Sequence, residues 1–103
     1  MRVQFSQIAS YKIERLLEYL EMEWSAASRR KFVAALQDRI EALKQNPLGF
    51  PVSHFRPDIR KLVITKQTTA LYTIRDEVIY IITVFDNRQD PSKTYEEIIK
   101  HFD

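Results

Sequence analysis

The amino-acid sequence predicts an α+β fold with the order β-α-α-β-β-β-α, in which an antiparallel sheet packs against an N-terminal helical hairpin and a short helix follows at the C-terminus. Three observations support this prediction. Apolar residues recur at helical spacing through residues 6–45, segments rich in β-branched and aromatic residues lie between residues 59 and 85, and a proline-containing loop separates these regions. Consecutive strands with short connections pair as an antiparallel meander, so we expect this arrangement for the later strands.

The N-terminal half of the chain predicts one strand followed by two helices. Residues 2–5 alternate polar and apolar side chains, as a short strand does. Ser6 and Ser25 are suitable N-caps for the two helices. The apolar stripe of the first helix consists of Ala9, Ile13, Leu16, Leu17, Leu20 and Trp24, and that of the second consists of Phe32, Leu36, Ile40 and Leu43. Because few residues separate the helices, they should form an antiparallel hairpin, which Asn46-Pro47 ends.

The C-terminal half predicts a loop, three strands and a helix. Residues 46–58 contain three prolines and the only glycine, and the apolar residues among them predict a loop that packs onto the rest of the chain. The expected strands are Ile59–Thr65, Thr68–Ile74 and Val78–Phe85. The last strand is almost continuously apolar, so we place it inside the sheet with both faces covered. Ser92 is expected to cap the third helix, whose apolar stripe is Tyr95, Ile98, Ile99 and Phe102.

Length and composition exclude several classes of protein. A chain of 103 residues is expected to form one domain, residues 1–103. It has no cysteine, no apolar segment of signal-peptide type and no apolar run long enough to cross a bilayer, which predicts a cytoplasmic protein without membrane contact. One glycine cannot supply a glycine-rich phosphate loop, and the two histidines lack metal-ligand spacing, so we expect neither a cofactor nor a metal.

The charge is distributed unevenly along the chain. The net charge is +2, but residues 51–75 carry five positive residues and one negative, while residues 76–103 carry three positive and seven negative. A local basic face attracts nucleic acid or an acidic protein even when the net charge is small. Scattered solvated surface charge explains the same numbers, so both interpretations remain open at this point.

Two long segments resemble a known family of proteins. The stretch EWSAASRRKFVAALQDRIEALKQNPLGFPV, residues 23–52, resembles the second-helix region of the RelE/ParE toxin superfamily. The stretch DIRKLVITKQTTALYTIRDEVIYIITVFDNRQDPSK, residues 58–93, is similar to the strand region of its ParE-like members. Together they cover most of the chain in the order that the family has.

The resemblance implies the toxin component of a type II toxin–antitoxin system, a class associated with growth inhibition and plasmid stabilization and neutralised by a cognate antitoxin. ParE-like members act on DNA gyrase without established catalysis. RelE-like members are metal-independent endoribonucleases that cut messenger RNA at the ribosome. A degenerate, non-toxic domain that only binds its antitoxin is a third alternative, and a homodimer is compatible with each of them.

Carried over by position, the resemblance implies a set of candidate site residues. In a ribonuclease, the catalytic candidates are Arg88, Arg60 and Tyr95, because basic side chains would contact the scissile phosphate. For a toxin that binds its target, the candidates are Asn87, Arg88, Lys61, Lys66 and Arg75. Thr69 stands where the ribonuclease branch usually has an arginine, and Leu62 and Ile64 stand where lysines are expected. This depletion favours the ParE-like branch or an uncharacterised relative of it.

Structural roles compete with these assignments. Arg88 could pair with Asp86 or Asp90, and Asn87 could simply form a turn. Side chains alternate along a strand, so Arg60 and Lys61 point to opposite faces and at most one of them lines a given site. For Tyr72, Tyr95 and Trp24, packing in the core is the expected role. The antitoxin is expected to occupy the outer groove between the helical hairpin and the sheet.

Overall fold

The computed structural model describes residues 1–101, apart from the side chain of His101, so the predicted contribution of Phe102 to the last helix lies outside the described residues. The elements are β1 (Arg2–Phe5), α1 (Gln7–Glu23), α2 (Ala26–Gln45), β2 (Arg60–Val63), β3 (Thr68–Arg75), β4 (Val78–Asp86) and α3 (Pro91–His101). This order confirms the predicted α+β fold. No helix within residues 1–101 has both the length and the apolar character needed to cross a membrane.

The sheet has the strand order β1-β4-β3-β2, and it is mixed rather than wholly antiparallel. The pairs β2–β3 and β3–β4 form the predicted antiparallel meander, whereas β1 pairs parallel with residues 78–81 of β4. Short connections favour antiparallel pairing only between strands that follow one another in the chain. The two helices lie between β1 and the other strands, and such a long connection permits parallel pairing. Ser6 fixes this junction, since its amide donates to Ile81 O at 2.9 Å and its hydroxyl donates to Ile82 O at 2.6 Å.

The two N-terminal helices cover one face of the sheet. Ser6 Oγ accepts from the amide of Ala9, and Ser25 Oγ accepts from the amide of Ser28, both at 3.0 Å, so the two predicted N-caps are confirmed. The buried residues of this core are Ala9, Ile13, Phe32, Leu43, Leu62, Ile64, Ala70, Tyr72, Ile79, Ile81 and Val84. Burial of such apolar side chains is the main favourable term that joins the hairpin to the sheet.

A second, smaller core covers the opposite face of β4. It consists of Ile59, Leu71, Ile82 and Ile98, with Phe55 and Phe85 packed against it. A register shift between Leu71 and Tyr72 leaves Ile82 as an extra residue in β4. Because of this bulge, Ile81 and Val84 both face the helices although three positions separate them, which strict alternation would not allow. The prediction that β4 is an interior strand with two covered faces is confirmed.

Three local predictions are wrong. Of the described residues in the apolar stripe predicted for α3, only Ile98 is buried, whereas Ile99 is 49% exposed and Tyr95, expected to pack in the core, is 43% exposed because its ring stacks on Phe55 at the margin of the second core. Trp24 is 71% exposed, because α1 ends at Glu23 and the Trp24 backbone leaves the helical path that would have continued the apolar stripe. Ser92 does not cap α3. Pro91 already occupies the first helical position, and the Asp90 side chain accepts from the amide of Ser92 at 3.0 Å. In the loop, Phe50 and Phe55 pack against the two cores, while Leu48 and Val52 are exposed.

The turn between β3 and β4 offers a test of the backbone geometry. Asp76 and Glu77 connect the strands with φ values of 52° and 62°, the left-handed conformation that a type I′ turn requires and that Asn-Gly adopts most easily. Glu77→Gly removes the unfavourable Cβ contact, so we expect the free energy of unfolding to rise by roughly 0.5–1 kcal/mol, measured by urea denaturation.

Glu77→Ala is the matched control, because it removes the same carboxylate but keeps the Cβ atom. A gain in stability equal to that of the glycine variant would contradict the role of backbone strain.

Candidate functional site

Two surfaces flank the C-terminal end of β4, and Phe85 contributes to both. The first, which we call the α1–β4 groove, lies between α1 and the edge of β4. It is lined by Tyr11, Lys12, Arg15, Leu16, Thr68, Val84, Phe85, Asp86 and Gln89. The second, which we call the sheet pocket, lies on the sheet face opposite the helical hairpin. It is lined by His54, Phe55, Lys61, Val63, Thr69, Phe85, Asn87 and Pro91.

The α1–β4 groove exists because β1 is shorter than β4. Beyond Ile81, no strand within residues 1–101 pairs with β4 on the β1 side, and side chains of Ser6 and α1 reach the backbone carbonyls of this edge instead. Lys12 Nζ donates to Val84 O at 3.3 Å, where the amide of a neighbouring strand would otherwise bind. Arg15 lies over the ring of exposed Tyr11, with 5.8 Å between the guanidinium carbon and the ring centroid.

A polar cluster ties α3 to α1 and β4 beside this groove. Lys12 Nζ lies 2.6 Å from Glu97 Oε1, and the fully buried Thr83 donates its hydroxyl to the same carboxylate at 2.5 Å. A buried hydroxyl needs such a partner, and a half-buried lysine needs an opposite charge. The cluster therefore gives Lys12 and Glu97 structural roles.

The floor of the sheet pocket is a row of side chains across three strands. Val63 pairs with Thr69, and Thr69 pairs with Phe85, so the three side chains share one face of the sheet. Lys61 points to the same face two residues earlier in β2. Phe55 forms a wall and is held by the ring of Tyr95, which stacks on it at 6.0 Å between centroids. The cavity measures about 400 Å³.

Asn87 joins the end of β4 to the β2–β3 turn. Its amide donates to Gln67 O at 2.8 Å, its side-chain nitrogen donates to Lys66 O at 2.9 Å, and its side-chain oxygen accepts from the Thr69 hydroxyl at 2.7 Å. These bonds support the role of a turn residue. They also place two of the predicted target-binding residues, Asn87 and Lys66, next to the sheet pocket.

Arg88 forms an ion pair with Asp86, as one of the structural alternatives anticipated. Its Nε lies 3.0 Å from Oδ1, and its Nη2 lies 2.7 Å from Oδ2, a bidentate arrangement. Hydrogen bonds from the Arg88 guanidinium lower the pKa of Asp86 to about 2. The Arg88 side chain is nevertheless 74% exposed, so its outer surface faces solvent at the rim between the two surfaces.

Arg60 lies on the other face of the sheet. It pairs across the strands with Tyr72, which belongs to the core under the helices, whereas Lys61 pairs with Leu71. The guanidinium of Arg60 donates to Phe50 O at 2.6 Å and to Leu48 O at 3.2 Å, and so it holds the loop. Arg60 therefore does not meet Arg88 and Tyr95, the other two residues predicted for a ribonuclease.

Tyr72 completes this loop anchor, and its predicted core packing is confirmed. It is fully buried, and its hydroxyl donates to Pro47 O at 2.5 Å. Burial raises the pKa of Tyr72 to about 12, so the hydroxyl keeps its proton and remains a donor at neutral pH. Arg75, the last of the predicted target-binding residues, lies at the opposite end of β3, next to the hairpin turn.

Sequence reasoning did not identify several residues of the pocket, chiefly Phe55, Val63, Phe85 and His54. Val63 could have been recognised, because it lies two positions after Lys61 and therefore shares its face of β2. Phe55 could not, since its position depends on the path of the loop. Over the part of the chain that the structure describes, no cluster of three or more His, Cys, Asp or Glu residues is suited to a metal ion.

Comparison with known proteins identifies the family of this chain. Residues 3–91 match the family model described as the ParE toxin of the type II toxin–antitoxin system parDE. This chain belongs to the ParE toxin family. The predicted RelE/ParE resemblance and the preference for its ParE-like branch are thereby confirmed.

Solved structures share the fold of this ParE-family chain at low sequence identity. The chromosomal ParDE system from P. aeruginosa matches with a TM-score of 0.72 and 15% identity, over 84% of this chain and 95% of that one. A mutant of the E. coli toxin RelE in the free state matches with a TM-score of 0.62 and 17% identity, over 98% of this chain and 96% of that one. The E. coli DinJ–YafQ complex matches with a TM-score of 0.56 and 14% identity, over 84% of this chain and 93% of that one. No curated protein sequence matches the chain.

The different roles of neighbouring Arg60 and Lys61 can be tested by stability. We expect Arg60→Ala to lower the free energy of unfolding by about 2 kcal/mol, because it removes hydrogen bonds from a charged donor to two loop carbonyls. Lys61→Ala is the matched control, and it should change stability by less than about 0.5 kcal/mol, as is usual at the surface. Urea denaturation measures both, and equal losses would contradict the structural role of Arg60.

The Arg88–Asp86 pair predicts a pH dependence. The pKa of Asp86 falls from its ordinary value near 3.8 to about 2 in the folded protein, so the pair stabilises the fold above pH 3.8 and loses this effect as the pH falls toward 2. An NMR titration of the carboxylate should find Asp86 ionised at pH 3. Arg88→Ala should return the pKa toward 3.8, while Lys93→Ala should leave it unchanged. A pKa near 3.8 in the unsubstituted protein would refute the pairing.

Proposed function

We propose that this chain is a ParE-like toxin that inhibits growth by binding a cellular protein such as DNA gyrase, and that a cognate antitoxin neutralises it. One observation carries the choice of binding over catalysis. At the centre of the pocket floor stands Thr69, where a ribonuclease of the superfamily would usually have an arginine, and the flanking positions are apolar Val63 and Phe85.

The positions of the basic residues support the same choice. Metal-independent cleavage of RNA needs several basic groups directed at one phosphate, because they stabilise the charge that develops there. Within residues 1–101, Lys61 is the only lysine or arginine that lines the sheet pocket, Arg60 is on the other face, and Arg88 is paired with Asp86. The exposure of Arg88 favours the RelE-like alternative. An exposed guanidinium can leave its carboxylate partner and bind a phosphate instead.

The α1–β4 groove is the proposed site of the antitoxin. Leu16 and Tyr11 offer apolar contacts, and Arg15 offers positive charge, so the groove suits an amphipathic segment with an acidic side chain. The DinJ–YafQ complex, in which a protein of this fold is bound to a partner, supports the existence of such an antitoxin. A segment in this groove would lie against Phe85 and Asp86 and would crowd the rim that Arg88 forms.

The proposed setting is the cytoplasm, where DNA and the translation machinery are found. A homodimer is compatible with the proposal but is not required by it.

Controlled expression in a bacterial host tests the proposed function. We expect wild type to stop growth, with altered supercoiling of a reporter plasmid and intact messenger RNA. Arg88→Ala should weaken the arrest, because it removes a charged group from the rim. Arg30→Ala, which removes an exposed arginine at the start of α2, should arrest growth as wild type does.

The alternatives give different outcomes in the same experiment. Arrest with cut messages and unchanged supercoiling would establish the RelE-like ribonuclease, and growth without arrest would leave a non-toxic antitoxin-binding domain. Coexpression of the antitoxin should restore growth. Arg15→Glu should reduce that rescue, because it places a negative charge in the proposed docking groove.

A further inference from the structure

In the part of the chain that the structure describes, the lining of the sheet pocket combines apolar side chains with one lysine and no carboxylate. We propose that this pocket is an anchor site for a single large aromatic side chain presented by an acidic polypeptide segment. The inference rests on the proposed function in one respect, since it identifies that segment as part of the toxin's cellular protein target.

The size and lining of the pocket suit an aromatic side chain. A cavity of about 400 Å³ lies at the lower end of the range of roughly 300–1,000 Å³ that is typical of ligand pockets. Phe55, Val63 and Phe85 supply apolar contacts on two sides, and the stacked ring of Tyr95 holds Phe55 in place. Aromatic anchors buried in such pockets contribute most of the binding energy of many protein interfaces.

Val63 shows that this apolar surface is accessible. It is 54% exposed although it lies in β2, which is the outermost strand of the sheet that the structure describes. The loop bridges the outer edge of β2 at Arg60, three residues before Val63. An exposed apolar side chain beside a concave apolar cavity is typical of an interaction site.

The polar groups of the lining determine the charge of the occupant. Thr69 and Asn87 bond to each other, and Asn87 also bonds to Lys66 O, so these side chains have little left to offer a ligand. Lys61 has no carboxylate partner within residues 1–101. The carboxylate nearest to Lys61 in sequence, Asp58, is already paired with Arg56. Asp86, which lies between the lining residues Phe85 and Asn87, is paired with Arg88. A negatively charged group therefore complements the pocket, and a positively charged one does not.

The same residues favour a polypeptide over a nucleic acid. Proteins that bind single-stranded nucleic acid combine stacking residues with a positively charged groove that follows several phosphates. The sheet pocket has aromatic side chains, but Lys61 is the only lysine or arginine among its lining residues. The single charge of Lys61 instead matches one carboxylate of a polypeptide segment, next to its aromatic side chain.

The experiment is an NMR titration of the purified full-length chain with the peptide acetyl-Glu-Trp-Glu-amide. We expect saturable shifts in the amide signals of Lys61, Val63, Thr69 and Phe85. Acetyl-Glu-Ala-Glu-amide should bind at least about tenfold more weakly, because it lacks the anchor. Acetyl-Gln-Trp-Gln-amide should bind about two- to fivefold more weakly, because an exposed ion pair contributes little.

Val63→Glu provides the decisive variant. Val63 is exposed, so the fold should tolerate the change, and a carboxylate at the pocket should lower peptide affinity at least about tenfold. Val52→Glu is the matched control, since Val52 is a similarly exposed valine that does not line the pocket, and it should bind the peptide as wild type does.

Several outcomes would overturn the inference. They are the absence of saturable shifts at the pocket, equal affinity for the alanine peptide, and tighter binding of oligouridine than of the tryptophan peptide at these residues. Undiminished growth arrest by Val63→Glu would overturn the pocket as the target site and leave the proposed function standing. Conversely, peptide binding by a wild-type chain that causes no arrest would support the anchor site and overturn the proposed toxicity.

Discussion

The burial of β4 on both faces is the constraint on which the rest of this fold depends. An apolar strand of this kind is stable only when water is excluded from each side, so the helical hairpin must cover one face and α3 with the loop must cover the other. The bulge at Ile82 divides the apolar residues of β4 between the two cores. The two cores lie on opposite faces of β4. The segment that follows β4, residues 87–90, therefore lies between the α1–β4 groove and the sheet pocket.

The short pairing of β1 has a second consequence. A parallel neighbour that ends at Ile81 leaves the last residues of β4 without a strand on the β1 side in the described residues, and unpaired backbone groups at an edge attract other chains. Here Lys12 covers Val84 O with a side chain, which an incoming segment can displace more readily than a paired strand. The groove is therefore only partly protected, and it is the surface that we propose for the antitoxin.

Many of the polar residues near the candidate site are already used to hold the fold. Arg60 and Tyr72 fasten the loop through its carbonyl oxygens, and Asn87 fastens the β2–β3 turn to the end of β4. Residue types common in active sites thus serve structural needs, since buried or confined polar groups are costly without partners. Among the described residues, Lys61 lines the pocket, and Lys66 and the outer side of Arg88 lie beside it as further positive charges.

The sequence by itself determined the helical and strand elements, their order, the two serine N-caps and the interior position of β4, because spacing and capping are properties of neighbouring residues. The family pattern in the sequence also pointed to four residues that the structure places in or beside the sheet pocket: Lys61, Lys66, Asn87 and Arg88. The sequence could not determine that β1 runs parallel to β4, that Trp24 leaves its helix, or that Arg60 turns away from Lys61 to hold the loop. Nor could it bring Phe55 to the pocket wall beside Val63 and Phe85. Those features depend on contacts between residues far apart in the chain, and only the tertiary packing decides which of these residues meet.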